Sequence, residues 1–142
     1  MKPSKSQKLL KVFSVIQFSN GLVFILLLVL FLFALQNETF MEQVKISKTE
    51  FIVSAIELLV NAAILFISAY ILNKTSKDPS KHNSALTITL IVIAYEIINF
   101  ITNLDIGVPR NLATMVFTVI MNLIILAPIS KVKEEYEQSI KE

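Results

Sequence analysis

The sequence has no cysteine and no tryptophan, a single histidine, His82, and only two glycines, Gly21 and Gly107. Without cysteine there are no disulfides, no thiol chemistry and no thiolate metal sites. One histidine in a polar stretch cannot form an imidazole metal cluster, and it leaves the apolar segments without the commonest acid–base catalyst. Two distant glycines build neither a phosphate-cradling loop nor a GxxxG helix-packing motif. Charge is scarce too: 17% of residues are charged, where a soluble domain carries roughly 25%. A formal net charge of +2 is too small to suggest nucleic acid as a partner. No metal site and no cofactor is expected, and enzymatic function is the least supported class.

What is there is hydrocarbon. Of the 142 residues, 54% are hydrophobic, and they gather into four runs of membrane-spanning length. The reading is an all-α integral membrane four-helix bundle, one domain over residues 1–142, with spans at about 12–35, 51–72, 84–103 and 111–129. Residues 1–11 are basic. Their combination with an apolar run resembles a secretory signal, but bulky Phe31, Phe33 and Leu35 crowd Ala34, so the segment reads as a retained first span. Gln36 to Glu50 is a polar connector, and its Asn37-Glu38-Thr39 triplet is a sequon common by chance. Asn73 to Asn83 is a basic connector in which Pro79 forbids a continuous helix. A short turn from Leu104 to Arg110 holds Asp105 and Arg110, which are expected to pair or to be solvated. Pro128 is expected to loosen the last turn of the fourth span. Residues 130–142 form a charged tail in which Val132, Tyr136 and Ile140 recur at helical spacing, as in an amphipathic helix lying on the membrane or a frayed end.

Ten of the thirteen basic residues fall in the N-terminal segment, the second connector and the tail. Positive residues resist translocation, which places both termini and the second connector in the cytoplasm. Tyr70 then reads as an interfacial anchor. Lys74, Lys77 and Lys81 hold the topology, with anionic headgroups or a cytoplasmic partner as their alternative contacts.

The spans are not uniformly apolar. Ser54, Glu57, Asn61 and Ser68 share one face of the second; Thr89, Glu96, Asn99 and Asn103 share an arc of the third. Asn111, Thr114, Thr118 and Asn122 form a stripe on the fourth, and Ser14, Gln17 and Gly21 one on the first, with Asn20 at its flank. Hydrocarbon cannot satisfy amides and carboxyls, so the stripes are expected to face inward and meet. Counting from the span ends places Asn61, Glu96 and Asn122 near the midplane and Glu57 nearer the outer face. No Lys or Arg lies within the spans, so at least one of Glu57 and Glu96 is expected to keep its proton at neutral pH. The candidate proton or cation site is therefore Glu57, Asn61, Glu96, Asn99 and Asn122. Against it stands a purely structural role, in which these groups only fix helix register.

The second span followed by Lys74-Thr75-Ser76-Lys77-Asp78-Pro79-Ser80-Lys81 and Ala85 resembles small four-span membrane proteins of Gram-positive bacteria. In those, a lysine-rich Asp-Pro-Ser-Lys connector joins the middle helices. The resemblance implies a bacterial plasma membrane and carries no activity. The chain is also similar in size to small multidrug exporters, but it has no carboxylate in the first span and no tryptophan motif. The expected function is a non-catalytic accessory or interaction subunit of a larger membrane complex, immunity or protection roles included. The alternative is a homo-oligomeric small transporter or channel using Glu57 and Glu96 as coupling carboxyls. The expected surroundings are the lipid bilayer and a membrane-protein partner or further copies of the chain.

Overall fold

A computed structural model describes residues 3–36, 47–105 and 112–141. The Asn37-Glu38-Thr39 triplet, Gly107, Arg110 and Asn111, and the side chains of Asn103, Asp105 and Thr114, lie outside the described residues. The described residues form four helices: α1 (Lys5–Leu35), α2 (Lys48–Lys77), α3 (His82–Asp105) and α4 (Leu112–Lys141). Among the described residues there is no strand. All four helices are long and apolar enough to cross a membrane.

The helices outrun the apolar segments that predict them. Ser4 starts α1 through a capping box: its hydroxyl accepts from the Gln7 N–H, and the Gln7 side chain accepts from the Ser4 N–H at 2.8 Å. The same device, Ser47 with Glu50, starts α2. It holds the Glu50 carboxyl below its usual range, first through the Ser47 backbone N–H and then through the Ser47 hydroxyl. At 1.5 Å per residue, 31 residues of α1 measure roughly 46 Å, well beyond a hydrocarbon core of about 30 Å.

At two places the helices run on past the expected spans, and the expected readings of Pro128 and the tail are corrected. α2 does not stop at Leu72; it runs to Lys77, because nothing in Asn73-Lys74-Thr75-Ser76-Lys77 opposes a helix. The break is confined to Asp78 and the single 3-10 turn Pro79–Lys81. There the Asp78 carboxylate accepts from the Ser80 hydroxyl at 2.6 Å and the Ser80 N–H at 3.1 Å. The hydroxyl bond chiefly holds the Asp78 carboxyl below its usual range, and Lys81 and Lys74 reinforce it. α4 continues through Pro128 instead of loosening there, a tolerance common where neighbouring helices support the freed carbonyl. The tail is neither surface-lying nor frayed: it is the last third of α4, with Val132 fully buried in the bundle and only Ile140 of the apolar trio exposed.

Adjacent helices pack in a ring, α1 on α2, α2 on α3, α3 on α4 and α4 on α1, with the α1–α2 contact the most extensive. Gly21 permits part of that approach. A Cβ there would stand 2.9 Å from the Phe66 ring, which also tilts against Phe18. Towards the other end Phe31 stacks on Phe51 at 3.7 Å between centroids. The buried apolar cluster lies at the lysine-rich end. Leu10 of α1, Leu72 of α2, Ala85 of α3, and Ile125, Ile129 and Val132 of α4 interlock there. That placement has a physical reason: burial from water drives packing near the membrane surface, whereas in lipid tails apolar contact alone has no such drive.

Candidate functional site

Above this cluster the bundle encloses a recess of about 230 Å³. α1 supplies Gln17 and Asn20, α3 supplies Glu96, and α4 supplies Thr118 and Asn122. Phe24, Leu65, Phe117 and Met121 form its apolar walls, and Ile125 joins it to the cluster below. Among the described lining residues Glu96 is the one carboxyl, and none is basic. Gln17, Glu96 and Asn122 are buried, whereas Asn20, Val23 and Phe117 are exposed, so the recess opens sideways between α1 and α4.

The polar stripes face inward as expected. Ser14, Gln17, Asn61, Ser68, Thr89, Glu96, Asn99 and Asn122 are all buried. A hydrogen bond joins two stripes across the bundle: the Gln17 side-chain N–H donates to the Asn122 carbonyl oxygen at 3.3 Å. Several others turn back on their own helix. Asn61 donates to the Glu57 backbone carbonyl at 2.8 Å, Asn122 to that of Thr118 at 2.9 Å, and Thr89 to that of Ala85 at 2.8 Å. Asn99 donates to the Tyr95 hydroxyl at 3.4 Å. The expectation that the amides satisfy one another is therefore corrected in part. A carbonyl one turn back is always within reach of such a side chain, at no cost in helix placement.

The two carboxyls occupy different surroundings. Glu96 sits in the recess, while Glu57 is half-buried outside its lining. Of the five candidate residues, Glu96 and Asn122 line the recess; Glu57, Asn61 and Asn99 do not. Gln17, Asn20 and Thr118 belong to it instead. Their signal was their place on the same helical stripes, which span-end counting alone did not rank.

At the lysine-rich end Lys74, Lys77 and Lys81 are exposed, and Lys74 Nζ lies 5.9 Å from the centroid of the exposed Tyr70 ring. Below the apolar cluster, the Ser6 hydroxyl donates to Glu135 at 3.3 Å, and His82 packs its ring against Tyr136. Among the described residues no group of three or more His, Asp or Glu is placed to hold a metal. No protein-family model, no curated protein and no solved structure matches the chain.

Proposed function

We propose that the protein is a non-catalytic multi-pass protein of a bacterial plasma membrane, acting as an accessory or interaction subunit of a larger membrane complex. The observation that supports this reading is the sealed lysine-rich end. All four helices contribute to the apolar plug under the recess, so one bundle offers a blind recess and broad apolar helix faces. Those faces include exposed Val12, Val15, Leu22 and Leu26 on α1. Layout and the Asp-Pro-Ser-Lys connector support the bacterial membrane, and the lysine distribution supports cytoplasmic termini.

Glu96 in the recess favours a second reading, a homo-oligomeric transporter or channel. Glu57 lies outside the recess and would then take part as a coupling carboxyl only across a chain interface. Native mass spectrometry after mild extraction from the protein's own membranes separates the two. A larger partner at fixed stoichiometry, retained in the Glu96→Gln variant, is expected. A bare homo-oligomer whose reconstituted pH-dependent flux disappears in that variant would replace the accessory reading with the transport one.

A further inference from the structure

We propose that the recess between α1 and α4 is a binding site for a small lipophilic amine entering sideways from the bilayer. Its ammonium would meet Glu96 and its apolar body would lie along Phe24 and Phe117. The inference is independent of the accessory reading.

The sign of the ligand follows from the lining. One carboxyl, three amides and a hydroxyl supply oxygens, two phenyl rings offer their faces, and no Lys or Arg is among the described lining residues to receive an anion. A carboxyl, amide oxygens and aromatic faces together attract a cation with N–H donors, most strongly where water is excluded. Its amphipathic character follows from the layout. The buried polar groups Gln17, Glu96 and Asn122 lie inside, while the mouth is edged by exposed Val23 and Phe117. The route follows from depth. Glu96 is twelve residues from Ser84 at the inner end of its span, about 18 Å along the helix, and the plug closes the way from the cytoplasmic end. Asn20 strengthens the case: it is an exposed amide at the mouth, and facing lipid without a partner would cost it free energy. An ammonium passing the mouth gives its carbonyl oxygen a donor.

The test is isothermal titration of the protein in nanodiscs with 4-phenylbutylamine, 4-phenylbutanol and 4-phenylbutyrate, with empty nanodiscs subtracted. The amine is expected to bind saturably, one per chain, and the carboxylate not to bind. Glu96→Gln is expected to weaken the amine at least tenfold while leaving the alcohol unchanged. Val23→Trp, which alters only an exposed mouth residue, is expected to abolish amine binding without changing helix content or melting temperature, so the inference stays testable if Glu96→Gln fails to fold. Equal binding of amine and carboxylate would overturn it, as would full amine affinity in both variants. Disulfide-linked dimers of Asn20→Cys chains without amine binding would also overturn it, assigning the mouth to a second copy.

Discussion

Asn122 shows how much one amide can hold at membrane depth. It accepts from Gln17 of α1 and donates to the Thr118 carbonyl of its own helix, so Asn122→Leu removes the cross-bundle bond and leaves a buried amide on Gln17. The expected cost is about 1–2 kcal/mol. The double variant Gln17→Leu/Asn122→Leu should cost less than the sum of the single changes, because no amide is then stranded. Equilibrium unfolding in mixed micelles measures both, and strict additivity would show that the pair is not coupled. Ser68 is the converse case. Its hydroxyl is fully buried with no hydrogen-bond partner among the described residues, so Ser68→Ala should be neutral or stabilising by up to about 1 kcal/mol in the same assay. At Gly21 the obstacle is shape. Gly21→Ala asks only for a small shift of the Phe66 ring, whereas Gly21→Val should destabilise by roughly 1–3 kcal/mol. Trimming the ring with Phe66→Leu should recover part of that loss.

At the scale of elements, the ends of the helices matter more than their middles. The Ser47–Glu50 box begins α2, and Ser47→Ala should cost about 1 kcal/mol. The Asp78 turn ends α2 and begins the approach to α3. Both Glu50 and Asp78 are acids held below their usual ranges. What they contribute is therefore present above the ordinary carboxylate range and is lost as pH falls through the lowered values. Neutral and mildly acid conditions should leave both ends intact, with loosening below pH of about 4. The Ser80 amide resonance, bonded to Asp78, should report it; a titration centred above the ordinary aspartate range would contradict the assignment. The span count and the inward stripes were legible in the sequence because hydrocarbon imposes both: twenty apolar residues must be helical, and amides must turn from lipid. The helix ends were not. Caps and the single turn at Pro79 are set by local hydrogen bonds at polar residues, where hydropathy carries no signal. Nor could spacing tell that Val132 and Tyr136 face Leu10 and His82 instead of a lipid surface, since both surroundings ask for the same amphipathic pattern. Within the site, Glu96 and Asn122 were legible, while the separation of Glu57 from Glu96 depends on helix rotation, which spacing does not fix.

For the molecule as a whole, the Ser6–Glu135 bond puts both ends of the described bundle on one side, and the lysine distribution gives the expectation that this side is cytoplasmic. The absence of cysteine makes that simple to check. In intact cells Ser47→Cys should react with an impermeant maleimide, while Ser80→Cys and Ser139→Cys should react only after lysis; the reverse pattern would invert the topology. The plug also sets how the bundle holds together. Removing residues 131–142 takes away buried Val132 together with the Glu135 and Tyr136 contacts. The truncated chain should unfold at lower denaturant and become protease-sensitive near Leu10.

A plug at one end suits the molecule to move as tweezers do, and that is a prediction to test. The α1–α2 and α3–α4 hairpins are joined at the lysine-rich end by interlocked side chains and the turn at Pro79, with the Gln17–Asn122 bond as a weaker tie further along. Relative movement of the hairpins then becomes a pivot about a fixed joint. A tilt of about 5° would move points ~30 Å away by roughly 2–3 Å, while the joint stays still. Spin labels at Phe33 and Ile101, far from the joint, should therefore give a broader distance distribution than labels at Lys8 and Lys81 beside it. Equal widths would mean a rigid block. In a pivoting molecule, the gap between α1 and α4 is an adjustable aperture, and whatever grips the free tips sets its width from a distance.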